Sequence, residues 1–131
     1  MISDLILGLA LWFGPMSDGQ LKCLADNIYH EARGESLEGQ LAVTHVVFNR
    51  THSSKYPTSY CRVIHQGESI GGRMLRNRCQ FSWYCDGRSD LPRDVEAYKI
   101  SIENAKTAWY VYYMNGYDLS NGADHYHASH I

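Results

Sequence analysis

The residue best suited to chemistry in this sequence is Glu31. It lies at a helix-to-turn junction between two apolar-faced segments of residues 28–50, IYHEARGESLEGQLAVTHVVFNR. A carboxylate in the last turn of a helix meets the negative end of the helix dipole, and an aromatic neighbour such as Tyr29 shields it from water. Both effects favour the protonated carboxyl, so the position predicts a general acid that works near neutral pH. The alternative is an exposed glutamate paired with Arg33 or a lysine, because charged side chains are mostly exposed.

A second group of chemically useful residues lies in residues 79–87, CQFSWYCDG. Aromatic side chains offer flat apolar faces to sugar rings, and the neighbouring Gln, Ser and Asp residues offer hydrogen bonds to hydroxyl and amide groups. We expect a loop or short strand here, in which the aromatic residues and Ser82 point to opposite sides. Aromatic residues also dominate protein cores, so core packing is the alternative interpretation.

A third group is the HYH run of His125, Tyr126 and His127. Two histidines two residues apart on a strand point the same way and can hold zinc through their imidazole nitrogens. Further ligands would have to come from the regions of His30-Glu31 or Thr44-His45. The sequence contains neither an HExxH motif nor a cysteine pair at zinc spacing, so we predict no metal and no other cofactor.

Helical periodicity predicts the elements that position these residues. Ser17 and Gln20 form a capping box that starts a first helix. Gly34 is expected to end that helix in a left-handed conformation, and Ser36 is expected to cap a second helix. Apolar faces follow at helical spacing in both: Leu21, Leu24, Ile28 and Ala32, then Leu37, Leu41, His45 and Phe48. Residues 60–66 predict a short helix. Residues 92–116 predict a long one with a core stripe of Val95, Tyr98, Ile102, Ala105, Trp109 and Tyr112.

Composition limits the functions that are plausible. The chain has 131 residues, enough for one domain with a real core, and a formal charge of −2 with histidine neutral. No cluster of Lys and Arg is present, so we expect neither nucleic acid nor an anionic membrane as a partner. The apolar run within residues 1–16 is too short to span a bilayer and lacks the positive start and cleavage site of a signal peptide. We expect it to be a helix packed on a domain of residues 17–131, without stable membrane insertion.

The four cysteines, Cys23, Cys61, Cys79 and Cys85, are compatible with one or two disulfides. A bridge between Cys79 and Cys85 would close a short loop around the aromatic residues, and Cys61 with one of these two is the alternative pairing. Buried free thiols are a further alternative, since free cysteine is among the most buried residue types.

Four separated blocks, YHEARGE, EGQLAVTHVVFNR, CQFSWYCDG and ADHYHA, occur in this order from about Leu21 to the C-terminus. Together they resemble the cell-wall hydrolase family typified by spore-cortex-lytic enzymes. The resemblance implies a mainly α, α+β fold: a single lysozyme-like domain, related to goose-type lysozyme, with a small β element. It also implies cleavage of the MurNAc-GlcNAc bond of peptidoglycan by lytic transglycosylation, with Glu31 as the catalytic residue. The residues implied to line the substrate cleft are Gln80, Phe81, Ser82, Tyr84, His125, Tyr126 and His127.

The implied mechanism agrees with the number of carboxylates that the sequence places near the site. Ordinary glycosidases use two carboxyl groups. Here Glu35 follows the Gly34 break and Glu38 belongs to the next helix, so only Glu31 is well placed. In lytic transglycosylation the 6-hydroxyl of muramic acid attacks its own anomeric carbon, and one residue serves first as acid and then as base.

Two alternatives belong to other classes. One is a zinc or cysteine amidase or peptidase on the wall peptide, with Cys61, Cys79 or Cys85 as nucleophile in the second case. The other is a non-catalytic wall-binding module. On the preferred hypothesis the partner is the peptidoglycan glycan strand, the protein is a monomer, and it acts in the periplasm or outside the cell. Because no signal peptide is recognisable, we expect export by a holin, a virion or a removed leader.

Overall fold

The computed structural model describes residues 16–125 of the chain. Four helices are α1 (Asp18–Ala32), α2 (Leu37–Thr51), α3 (Tyr60–Ile64) and α4 (Val95–Trp109), and one hairpin consists of β1 (Gly67–Ile70) and β2 (Arg73–Cys79). A 3₁₀ turn, Ser82–Cys85, follows β2, and a π-helical turn, Tyr110–Met114, continues α4. The predicted mainly α, α+β class is confirmed. The predicted helix within residues 1–16 lies outside the described residues, apart from Met16, which is buried in the core.

The helix starts follow the capping chemistry that the sequence predicts. The Ser17 hydroxyl accepts a hydrogen bond from the Gln20 N–H, and the Ser36 hydroxyl accepts one from the Gly39 N–H, each at 3.2 Å. The expected left-handed end of α1 is wrong. Arg33 ends the helix in right-handed geometry with φ −60°, and Gly34 is not among the residues with positive φ. A Cβ on Gly34 would meet nothing within 4 Å, so neither conformation nor space requires glycine there.

The core lies where α1, α2, α3 and α4 pack against each other. Its most deeply buried side chains include Leu24, Ile28, Val43, Val47, Phe48, Val63, Ile64, Ala105 and Ala108. The predicted stripe of the long helix holds only in its second half. Ala105 and Trp109 are buried, but Val95 is 59% exposed. Leu37 is also 50% exposed, although the sequence predicts it on the apolar face of α2.

The hairpin projects from the helices with a largely exposed surface. Its strands are antiparallel and pair Ile70 with Arg73 across a two-residue turn. Gly71 and Gly72 have φ of 59° and 81°, the pair of positive values that a type I′ turn needs. Within residues 16–125 no helix is long and apolar enough to cross a membrane.

Two disulfides connect these elements. Cys23–Cys61 joins α1 to α3, and Cys79–Cys85 joins the end of β2 to the 3₁₀ turn. The alternative pairing of Cys61 with Cys79 or Cys85 and the alternative of free thiols are therefore both wrong. The second bridge holds the 3₁₀ turn beside the hairpin, and this turn forms one wall of the site described next.

Candidate active site

A cleft of about 490 Å³ opens beside the C-terminal end of α1. One wall is formed by α1, with Tyr29, His30 and Glu31, and the other by residues 82–93, which contribute Ser82 and Trp83 among others. The site therefore brings Glu31 and Ser82 together, although they are far apart in the sequence.

Three hydrogen bonds attach residues 82–94 to α1. The indole Nε1 of Trp83 donates to the Asn27 carboxamide at 2.8 Å, and the Asp94 N–H donates to the Tyr29 hydroxyl at 2.9 Å. His30 Nε2 lies 2.9 Å from the Asp90 carbonyl oxygen. Because a carbonyl can only accept, this contact places a proton on Nε2. These bonds fix the distance between the two walls.

Aromatic rings support the floor of the cleft. The His30 ring stacks on Trp83, with centroids 4.6 Å apart and planes 19° from parallel, and Tyr29 meets His30 edge to face at 5.0 Å. Tyr29 and Trp83 are 5% and 7% exposed, so their rings belong mainly to the core and present little surface to the cleft. The rings therefore support the cleft wall from the core side.

Glu31 lies in the last turn of α1, as predicted, and is half-buried. Its burial raises the pKa of the carboxyl above its ordinary value, because loss of water penalises the charged form. The alternative of an exposed glutamate paired with Arg33 does not hold, since the Arg33 guanidinium instead donates to the Tyr29 carbonyl at 2.9 Å and lies over the Tyr29 ring at 4.4 Å. The Glu31 carboxyl therefore stays protonated to a higher pH than an exposed glutamate does.

The cleft continues in both directions. A neighbouring hollow of about 330 Å³ shares His30, Glu31 and Arg33 with it and extends to Glu35. On the other side a hollow of about 340 Å³ shares Trp83, Asp90 and Leu91 and extends to His65 and Tyr84. We call the three together the groove, with the central, Glu35-side and Tyr84-side hollows as its parts. Glu31 lies where the central and Glu35-side hollows meet, so a chain-like ligand can pass it on both sides.

The other predicted substrate-binding residues are placed differently from one another. Tyr84 lines the Tyr84-side hollow, where its ring stacks on His65 with centroids 4.1 Å apart. Phe81 is only 4% exposed, packs beside the Arg50 guanidinium in the core and lines none of the three hollows, so the structure gives no support for a substrate contact. Gln80 is exposed, lines none of the three hollows, and its N–H donates to the Gln66 carbonyl.

Of the HYH run, the structure describes only His125. His125 is exposed, bonds to the Asp124 carboxylate through Nδ1 at 2.7 Å, and lines none of the three hollows. Tyr126 and His127 lie outside the described residues. The aromatic segment is expected to be a loop or a short strand, and the strand form is wrong, because Ser82–Cys85 is a 3₁₀ turn.

The sequence analysis includes Asp86 only as a hydrogen-bonding group beside the aromatic residues, and it misses the charged residues 88, 90 and 93 of the central hollow. Asp86 and Asp90 share this hollow with Glu31, so Glu31 is not the only carboxylate at the site. Arg88 and Arg93 also line it. Their run, DGRSDLPRD, has the composition of an ordinary surface loop, and only the bonds to α1 bring it to the site.

The structure leaves no cysteine nucleophile. Cys61, Cys79 and Cys85 are all in disulfides, so the cysteine amidase alternative is contradicted. Among residues 16–125 no group of three or more His, Cys, Asp and Glu side chains is arranged to hold a metal ion. His45 is fully buried, with Nε2 bonded to the Ala108 carbonyl and Nδ1 accepting from the Leu119 N–H, so both of its nitrogens are already engaged.

Comparison with known proteins identifies the class. The family described as Cell Wall Hydrolase matches residues 34–131, about three quarters of the chain. This chain belongs to that cell wall hydrolase family. The matched region begins three residues after Glu31 and includes the 82–93 wall of the groove.

The similar proteins are spore cortex-lytic enzymes. Those of Oceanobacillus iheyensis and Halalkalibacterium halodurans are 40% and 29% identical over 110 residues, 84% of this chain. That of Bacillus subtilis is 43% identical over 51 residues, 39% of this chain. The chain spans only 33%, 27% and 17% of the lengths of these three relatives, respectively. No solved structure matches the chain significantly.

Proposed function

We propose that this protein degrades peptidoglycan by cleaving the glycosidic bond between MurNAc and GlcNAc. The observation that carries the proposal is the position of Glu31: its burial favours the protonated carboxyl, and it lies between two connected hollows of an open groove. A glycan strand is a polymer, and an internal bond of a polymer reaches a catalytic group only where the groove is open on both sides. Membership of the cell wall hydrolase family supports the same substrate.

Glu31 acts first as an acid and then as a base. The protonated carboxyl gives its proton to the glycosidic oxygen, and the bond between this oxygen and the anomeric carbon of MurNAc breaks. The C6 hydroxyl oxygen of the same MurNAc bonds to the anomeric carbon, and the Glu31 carboxylate takes the hydroxyl proton. The product is a 1,6-anhydro sugar, no water is consumed, and Glu31 returns to its starting state.

Hydrolysis is the second candidate for the chemical step, because Asp86 and Asp90 lie in the same hollow as Glu31. In an inverting glycosidase one carboxylic acid protonates the leaving oxygen while a second carboxylate activates a water. Either aspartate is a candidate for the second role. Asp86 already accepts the Arg88 N–H at 2.9 Å, a bond that orients its carboxylate.

Mass spectrometry of purified peptidoglycan digested in heavy-oxygen water separates these reactions. Transglycosylation gives unlabelled ends that are lighter by one water, whereas hydrolysis gives reducing ends that carry the heavy oxygen. Cleaved stem peptides with intact glycan would instead support a zinc amidase or peptidase. Binding without any product would support a wall-binding module.

The remaining parts of the proposal concern location, oligomeric state and architecture. The protein acts on the wall, in the periplasm or outside the cell, and works as a monomer. Residues 17–131 form the catalytic domain. The lysozyme-like architecture is part of this proposal, supported by a helical fold with a small hairpin and a glutamate at the end of a helix in the groove.

A further inference from the structure

The central hollow is lined by more charged side chains than the binding of a neutral sugar ring requires. Its lining includes three carboxylates and three guanidinium groups: Glu31, Asp86 and Asp90, and Arg33, Arg88 and Arg93. Among the described residues, none of these six side chains takes part in an ion pair with another. Within residues 16–125, these three guanidinium groups therefore have no carboxylate at ion-pair distance.

The three arginines are not equivalent. Arg33 is held by the Tyr29 carbonyl and ring, which fixes it at the end of α1. The guanidinium groups of Arg88 and Arg93 make no hydrogen bond to the rest of the described chain, and both residues are exposed. They are the two cations of the hollow that remain available to a ligand.

The glycan itself gives these two cations no partner. The GlcNAc and peptide-substituted MurNAc rings carry hydroxyl and amide groups but no charge, and guanidinium groups bind carboxylates far better than neutral acceptors. The stem peptide, by contrast, carries free carboxylates, and it leaves the strand from the MurNAc whose glycosidic bond lies at Glu31. The charged part of the substrate thus begins next to the charged hollow.

We propose that Arg88 and Arg93 bind carboxylates of the stem peptide, so that the protein prefers peptide-bearing muramic acid over peptide-free muramic acid. This inference rests on the proposed glycan-cleaving function and names the form of the strand that the groove selects. Arg88 and Arg93 are specificity-determining residues of the groove, separate from the proton transfers at Glu31.

The test compares three forms of one preparation of soluble glycan strands: peptide-bearing, peptide-bearing with the carboxylates amidated by carbodiimide and ammonia, and stripped of peptide by an amidase. Amidation removes the negative charge and keeps the peptide. Stripping removes the peptide and leaves the lactyl carboxylate of muramic acid, so it distinguishes that carboxylate from those of the stem. The readout is kcat/KM for glycan cleavage, measured from the new muramoyl ends.

We expect the wild-type protein to cleave the peptide-bearing strands about tenfold faster than either other form, since exposed charge pairs contribute about twofold to fivefold each. The double variant Arg88→Gln/Arg93→Gln should reduce both ratios to near one. A matched control, Arg62→Gln/Arg73→Gln, removes two exposed cations outside the groove and should keep the wild-type ratios.

Each other outcome contradicts the inference in a recognisable way. Equal rates on all three forms would overturn the arginine role and leave glycan cleavage standing. Full activity on stripped strands but not on amidated ones would show that the lactyl carboxylate freed by stripping serves as well as a stem-peptide carboxylate, and would overturn the preference for peptide-bearing strands. A double variant that keeps the wild-type ratios would also overturn it. Absence of glycan cleavage on every form would overturn the proposed function itself.

Discussion

Replacement of Glu31 by glutamine tests the proton-transfer mechanism directly. Glutamine keeps the shape of the side chain in the last turn of α1 but has no acidic proton to give. We expect the rate of glycan cleavage to fall by about a hundredfold to ten-thousandfold, the range typical of lost general acid catalysis. The assay is release of muramoyl ends from purified walls, quantified by mass spectrometry. Glu38→Gln, in the exposed first turn of α2, is the matched control and should keep wild-type activity.

The pH dependence of the same variant gives a second readout. Burial raises the pKa of Glu31, and only the protonated form can donate, so kcat/KM of the wild-type protein should fall as pH rises through that pKa. The residual activity of Glu31→Gln should lack this fall. A fall of the same shape in both proteins would show that another group causes it.

Stability should change in the opposite direction to activity. Because the folded pKa of Glu31 lies above the unfolded value, the buried carboxylate lowers the free energy of unfolding at neutral pH, and this cost disappears as pH falls through the folded pKa. We expect Glu31→Gln to melt at or above the wild-type temperature at pH 7, with the difference closing in acid. A folded Glu31→Gln protein with near-normal glycan cleavage would refute the mechanism.

Other substitutions test the rest of the site and the core. Ser82→Ala should impair cleavage while leaving the melting temperature nearly unchanged, because the exposed side chain lines the central hollow; wild-type rates would remove it from the site. Phe81→Ala should lower the free energy of unfolding by about 3 to 5 kcal/mol in urea titrations, because the ring is buried; a loss below about 1 kcal/mol would contradict this placement. Asp86→Asn and Asp90→Asn should both leave the anhydro product dominant, whereas a large loss of cleavage in one of them would favour hydrolysis. Burial lowers the pKa of His45, so at mildly acid pH the histidine is protonated in the unfolded state but not in the folded state. The free energy of unfolding should therefore fall as pH drops below about 6.5. A free energy of unfolding that does not change with pH in urea titrations would contradict this prediction.

The helix starts were predictable because their causes are local. The hydroxyls of Ser17 and Ser36 bond to backbone groups only three residues ahead, and such spacing is visible in the sequence. The end of α1 was not predictable in the same way. A glycine such as Gly34 can adopt a left-handed conformation but does not have to. Here the chain turns with Arg33 still in the right-handed region.

The conformation of residues 82–85 can be inferred once the disulfide between Cys79 and Cys85 is known. Six residues in an extended strand span about 20 Å. The Cα atoms of Cys79 and Cys85 are 6.0 Å apart in their disulfide, so the bridged segment has to coil. The sequence allowed this bridge but also allowed others, and the extended form was predicted without choosing among them. Once the turn forms, Phe81 falls on the core side and Ser82 on the groove side.

The case for transglycosylation changes when the whole hollow is considered. From the sequence it depended on Glu31 being the only well-placed carboxylate, but the bonds from His30 to Asp90 and from Asp94 to Tyr29 bring two aspartates into the same hollow. These bonds connect residues 60 and 65 positions apart, so no local pattern reveals them. The environment of the carboxylates therefore matters more than their number. Glu31 is half-buried and its pKa is raised by that burial, which suits the acid step common to both mechanisms. What separates the mechanisms is the acceptor of the second proton: in transglycosylation Glu31 takes it from the C6 hydroxyl, whereas in hydrolysis Asp86 or Asp90 takes it from water.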